Sequence, residues 1–266
     1  MKTIAIVNQK GGVGKTTTAV QLASGLSIRG FRVLGVDLDA QANFTATMFG
    51  GRERNEAAPT VYDVLIGEAG IKDAVADVFR GHLLPSAADI ACTDKRLARI
   101  DAAVGDRPNK LYLLREALES LSPSIDYAVI DTPPARDTCS YNALTAADWA
   151  LIVTEAGEYS VKGIADLAES IRQIKRYTNP ALKIAGVLVT KFEAQTLLGK
   201  GMSKGAAEIA EALGTRVFNA KIRKAVAIGE SQSMETDIFD YAPDSGVAKD
   251  YGAFVDELLE VAGDGR

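Results

Sequence analysis

The chain has 266 residues, 47% hydrophobic and 24% charged, with a formal net charge of −5. That is enough for a sizeable core, and the charge gives no overall signal for a polyanionic partner, leaving only a local patch open. The cysteines, Cys92 and Cys139, are far apart and read as small buried side chains in a reducing cytoplasm; no stretch of eighteen apolar residues predicts a membrane span, and the N-terminal apolar run is too short for a signal peptide.

A strand predicted at Thr3–Val7 runs into QKGGVGKTTT, Gln9–Thr18, and a helix is predicted from Thr16 to about Arg29. Strand, glycine-rich loop and helix in that order form a phosphate-binding turn. Gly11, Gly12 and Gly14, with Val13 between them, let successive N–H groups face phosphate oxygens at a helix N-terminus. Lys15 reaches the β- and γ-phosphates, Thr16 supplies a hydroxyl to Mg²⁺, and Thr17 completes the nucleotide contacts.

Further along, strands are predicted at Arg32–Asp37, Tyr127–Asp131, Trp149–Thr154 and Ile184–Thr190, nearly continuous in apolar residues and so buried on both faces. The second strand leads into Asp37 and Asp39, and the third ends in Asp131, where a carboxylate can hold Mg²⁺ directly or through water. Gly50–Pro59 reads as a surface loop. Helical spacing appears from Tyr159 to Tyr177 (Val161, Ile164, Leu167, Ala168, Ile171, Ile174) and near the C-terminus (Val247, Tyr251, Phe254, Val255, Leu258, Leu259). The alternation predicts one α/β domain over 1–266, a P-loop fold with a mostly parallel sheet flanked by helices on both faces.

Charge is unevenly spread. From Ser160 to Ala225, twelve basic side chains face five acidic ones, a net of +7; from Val226 onward the net is −8. A basic face on an acidic protein suits sequence-independent, salt-sensitive DNA binding. The candidates are Arg172, Lys175, Arg176, Lys204, Lys221, Arg223 and Lys224.

The loop departs from the ordinary G-x-x-x-x-G-K-[ST] pattern, because Gln9 stands at its first glycine and Lys10 adds a second lysine. In this it resembles the deviant Walker A loop of the ParA/MinD family of ATPases. TVYDVLIG, LLPSAADIA, NALTAADWALIVTEAGEYSVKGIADL and IFDYAPDSGVAKDYGAFVDELL also resemble family segments, in order. The resemblance implies ATP and Mg²⁺ as cofactors and an ATP-dependent homodimer. Lys10 would reach the partner's phosphates there, neutralising charge as an arginine finger does. It implies that Asp39 orients the attacking water, that Asp37 supports the loop and metal site, and that Thr132, Pro133 and Pro134 sense the γ-phosphate. Ala40 and Ala42 replace the family's usual proline and glycine. Lys191 of TKFE and Arg223 of KIRKAV fall where base contacts are expected, Arg223 in place of a proline.

The resemblance further implies non-specific DNA binding by the ATP dimer, a ParB-type adaptor that stimulates hydrolysis, and a cytoplasmic, nucleoid-associated protein of the small type without an N-terminal helix-turn-helix domain. A MinD-like membrane-positioning ATPase is an alternative, but it needs a basic C-terminal amphipathic helix, and here Asp250, Asp256, Glu257 and Glu260 occupy the polar side. A reductase resembling the nitrogenase iron protein needs cysteines at a shared cluster, and Cys139, eight residues after Asp131, does not fit that spacing. A metabolic ligase draws no support from the basic segment. A bacterial tyrosine kinase wants a terminal tyrosine cluster, whereas Tyr241 and Tyr251 read as isolated core residues. His82 and Trp149 read as structural.

Overall fold

A computed structural model describes residues 1–77, 88–121, 125–155, 161–193 and 197–265, with the side chains of 77, 88, 161–164 and 197–204 outside that description. Eight strands, β1 (Lys2–Val7), β2 (Val33–Asp37), β3 (Val75–Asp77), β4 (Ala88–Ala91), β5 (Tyr127–Asp131), β6 (Trp149–Glu155), β7 (Lys183–Phe192) and β8 (Val217–Arg223), form one sheet. Their order is β3-β4-β2-β5-β1-β6-β7-β8, and only the β3–β4 pair is antiparallel.

The helices in chain order are α1 (Lys15–Ile28), α2 (Asn43–Phe49), α3 (Val61–Ile66), α4 (Ile71–Ala74), α5 (Ile100–Val104) and α6 (Leu113–Glu119). They continue with α7 (Thr138–Ala146), α8 (Val161–Tyr177), α9 (Leu197–Leu213), α10 (Val226–Ser233), α11 (Ile238–Tyr241) and α12 (Gly246–Ala262).

The central strands alternate between two cores. Ile4, Ile6 and Val129 pack with α1 and α12 on one face. Ala5, Val7 and Ile130 pack with α7, α8 and α9 on the other. Apolar residues are therefore favoured on both faces from Ile4 to Val7 in β1 and from Tyr127 to Ile130 in β5, which is why these stretches read as apolar runs. On α8, Leu167, Ala168, Ile171 and Ile174 are buried while Arg172, Lys175 and Arg176 face outward, as a 3.6-residue period demands. Burial of each large aliphatic side chain there contributes about 1.5–3 kcal/mol.

The five expected strands are present to within a residue or two at their ends. Three more, β3, β4 and β8, carry no comparable pattern. β3 has three residues, and β8 is an edge strand whose side chains are mostly half-buried or exposed. KIRKAV, expected at a base pocket, spans the end of β8 and the start of α10. Tyr251 is buried as expected, but Tyr241 is 39% exposed and donates to Glu230 Oε2 at 3.2 Å. His82 and most of LLPSAADIA lie outside the described residues.

Candidate nucleotide-binding site

Because β1, β2, β5 and β6 run parallel, the chain segments that follow them emerge at one edge of the sheet, the usual ligand edge of an α/β fold. The phosphate loop leaves β1 there. Gly12 (φ 76°) and Gly14 (φ 88°) take left-handed backbone conformations that a side chain would oppose, and Gly14 caps α1 so that its N-terminus begins at Lys15. The loop is pinned on several sides. Buried Asn8 donates to the Val153 carbonyl at 2.6 Å and accepts the Lys10 N–H at 2.8 Å. The Thr190 hydroxyl donates to the Val13 carbonyl at 2.7 Å, and Gln9 Nε2 donates to Ser170 Oγ on α8 at 3.1 Å. Lys15 is buried, with its ammonium 3.3 Å from the Lys10 carbonyl. Burial lowers its pKa against the opposing pull of Asp131 and Asp39.

The carboxylates converge on the same edge. Asp37 and Asp131 are partners in the β2–β5 register, and both are fully buried. Asp37 Oδ1 accepts the Asp39 N–H at 3.0 Å, and Oδ2 accepts the Thr45 N–H and hydroxyl, each at 2.8 Å. Asp37 thus holds the loop that carries Asp39, whose own Oδ1 accepts the Gln41 N–H at 3.0 Å. Ala42, at the family's glycine position, adopts φ 56° at the start of α2. Asp131 Oδ2 accepts the Thr16 hydroxyl at 2.6 Å, whereas its Oδ1 is buried with no hydrogen-bond partner. Burial, and then the neighbouring Asp37, push the Asp131 pKa upward. An orphaned, buried carboxylate oxygen beside a hydroxyl suits a divalent cation. Among the described residues no group of three or more acidic, histidine or cysteine side chains could hold a metal. Thr16 and Asp131 therefore fit Mg²⁺, which takes one or two protein ligands and completes its shell from phosphates and water. Thr132 donates to the Ile6 carbonyl at 2.7 Å, and a side chain at Gly11 would meet Pro134 at 3.9 Å, so the segment after Asp131 runs beside the phosphate loop.

Lys10 and Lys191 meet at Glu155. Lys10 Nζ lies 2.8 Å from Glu155 Oε1; Lys191 Nζ lies 3.0 Å from Oε2 and donates to the Gly12 carbonyl at 2.6 Å. Lys191 therefore sits on the phosphate loop itself. A cavity of about 300 Å³ opens beside Thr16 and Thr17, walled by Asn43 of α2 and by Gln232 and Glu235, with Gln232 Nε2 donating to the Thr17 hydroxyl at 2.7 Å.

Residues 1–184 match the family model described as an AAA domain. The sporulation initiation inhibitor protein Soj of Bacillus subtilis is 34% identical over 99% of both chains. The chromosome partitioning protein ParA of Caulobacter vibrioides is 33% identical over 88% of this chain and 84% of its own. The chain belongs to the ParA/Soj family. Among solved structures, cobyrinic acid a,c-diamide synthase from Mycobacterium smegmatis with bound ATP analog and magnesium superposes with a TM-score of 0.85. It is 27% identical, over 100% of this chain and 97% of that one.

Within this ParA/Soj chain, the seven basic residues expected to form one patch are not brought together. Arg172, Lys175 and Arg176 lie on the last turns of α8, at the end of the sheet where β7 starts. Lys221, Arg223 and Lys224 lie at the opposite end, where β8 finishes. Lys204 falls within α9, its side chain outside the described residues. Several of these cations have carboxylate neighbours. Arg223 pairs with Asp250 at 2.6 Å, Lys224 with Glu193 at 3.0 Å and Arg172 with Glu169 at 3.0 Å, while Lys221 sits over the Phe192 ring. Arg223, expected beside the base, has its guanidinium paired with Asp250 of α12.

The two cysteines are buried on opposite faces of the sheet, Cys92 with α1 and α12 and Cys139 with α7. Burial raises both thiol pKa values, Cys92 to about 11. Neither thiol is presented for a shared cluster. Among the described residues no helix is long and apolar enough to cross a membrane. Glu155, which carries both the Lys10 and the Lys191 contacts, was not singled out from the sequence: it lies one position past the predicted strand end, and nothing in its neighbours signals two lysines.

Proposed function

We propose that this chain is a Mg²⁺-dependent ATPase of the ParA type. It dimerises on ATP, binds DNA without sequence preference in that state, and releases it after partner-stimulated hydrolysis, so that a cargo is positioned or segregated. The observation that carries this reading is the Thr16–Asp131 pair with its orphaned Asp131 oxygen, beside a buried Lys15 on a phosphate loop.

Mg·ATP supplies, when bound, the anhydride bond that is cleaved and the cation that draws off its charge. The loop N–H groups from Gly11 to Thr16 orient the phosphates, and Lys15 offsets their charge with an ammonium that burial has already partly stripped of water. Asp39, held through its backbone N–H by Asp37, accepts a hydrogen bond from the attacking water and orients it. Lys10 crosses to the partner's site, which makes the dimer contingent on the triphosphate. Lys191 steadies the loop from the β7 side. The basic residues of α8 and of the β8 end neutralise DNA phosphates, doubled in number by the dimer. A ParB-type adaptor accelerates turnover, and the protein works in the cytoplasm on the nucleoid.

The test is retention of random-sequence duplex DNA with ATP, ADP or no nucleotide across a salt series. Retention that needs ATP and falls steeply with salt supports the reading. Equal retention in all three conditions contradicts it. Lys15→Ala should abolish nucleotide binding and, with it, retention.

A further inference from the structure

Glu155 closes β6, and both of its carboxylate oxygens are taken by ammonium groups from other segments, Lys10 on the phosphate loop and Lys191 at the end of β7. Burial alone would raise the Glu155 pKa, yet the bonds from Lys10 and then Lys191 outweigh it and hold the carboxyl below its ordinary value, so it stays charged. Lys191 keeps its place although its backbone is left-handed, at φ 51°. A carboxylate at the mouth of an anion site works against a triphosphate by Coulomb repulsion and occupies the cations the phosphates need.

The partners are unequal. The Glu155 side chain is 20% exposed and fixed at a strand end, whereas Lys10 is 52% exposed on a flexible stem. If the contact opens, the lysine leaves.

We propose that Glu155 is a latch that holds Lys10 on its own protomer, so that Lys10 becomes available to a second copy of this chain only when Glu155 gives it up. This rests on the reading that Lys10 acts across an ATP-dependent dimer. The latch sets a threshold for assembly: each dimer must open two such contacts, while the triphosphate offers both ammonium groups a better anion. Lys191 stays near Glu155 through its bond to the Gly12 carbonyl, so the carboxylate does not lose all its charge compensation when Lys10 departs.

Two readouts on the full chain test this. In the first, nucleotide-free protein is labelled with an amine-acylating reagent and the rate at Lys10 is read by mass spectrometry. Glu155→Gln should raise that rate several-fold, and an unchanged rate overturns the latch. In the second, the protein concentration for half-dimerisation with ATP is measured by light scattering. Glu155→Gln should lower it about ten-fold, from about three-fold per protomer for a partly exposed ion pair. The gain should vanish in Glu155→Gln/Lys10→Ala. An unchanged half-point in a wild-type protein that does dimerise, or a gain that survives loss of Lys10, overturns the latch alone. Faster labelling with no ATP-dependent dimer in any variant overturns the dimer reading and the latch's role with it.

Discussion

Asp37 and Asp131 stand side by side in the β2–β5 ladder, yet Asp37 has both oxygens bonded to its own loop while Asp131 keeps one buried oxygen unpartnered. Burial raises both pKa values, Asp37 to about 6 and Asp131 to about 8. The folded chain thus holds protons that the unfolded chain has released over that range. By linkage, metal-free protein loses stability as pH rises from the ordinary carboxylate range toward about 8. Its melting temperature should fall between about pH 5.5 and about pH 8.5. Asp131→Asn should flatten that fall, and Mg²⁺ with nucleotide should restore most stability at the upper end by replacing the proton. An identical slope in the Asn variant would remove Asp131 as its source.

Asp39→Ala removes a carboxylate on the loop that Asp37 holds through the Asp39 N–H, and leaves the Lys15 and Thr16 side chains in place. Turnover should drop by roughly two orders of magnitude or more, the usual scale for a positioned acid–base group. ATP binding and DNA retention should persist. Single-turnover hydrolysis at the wild-type rate would show that another group orients the water.

Ala42 at φ 56° bears a backbone cost of about 1–2 kcal/mol that glycine avoids, less glycine's greater unfolded-state entropy. Ala42→Gly should therefore stabilise the protein by about 0.5–1 kcal/mol in urea unfolding. A loss of stability would mean that the loop before α2 is held in this conformation by something other than its local backbone.

Arg223 is bonded through Nε and Nη2 to Asp250, and its guanidinium packs where a side chain at Gly246 would stand. If the β8 end contacts DNA, Asp250→Asn should raise the salt concentration at which DNA is released, and Arg223→Glu with Lys224→Glu should lower it, both at unchanged ATP affinity. A parallel Lys175→Glu/Arg176→Glu protein tells which end of the sheet carries the larger share. Unchanged release in the first pair would take the β8 end out of the DNA surface.

The phosphate loop, the central strands and the two aspartate-bearing strand ends were legible because each is local: a run of apolar residues, or a motif within ten positions. β3, β4 and β8 were not, since short or half-exposed edge strands have no apolar run to show. The charge count found a basic segment but could not see that α8 and β8 deliver their cations to opposite ends of the sheet, nor that Asp250 and Glu193 sit against two of them. The Lys10–Glu155 contact joins residues from distant segments through the parallel order β1–β6–β7, and only the sheet topology brings them together.

The most direct test of the account is the mass of Asp39→Ala protein in ATP, with and without Lys10→Ala, measured by light scattering alongside nucleotide binding. The account predicts a dimer in ATP and a monomer in ADP for Asp39→Ala, and a monomer that still binds ATP once Lys10 is also replaced. A stable ATP-bound dimer lacking Lys10 would contradict it.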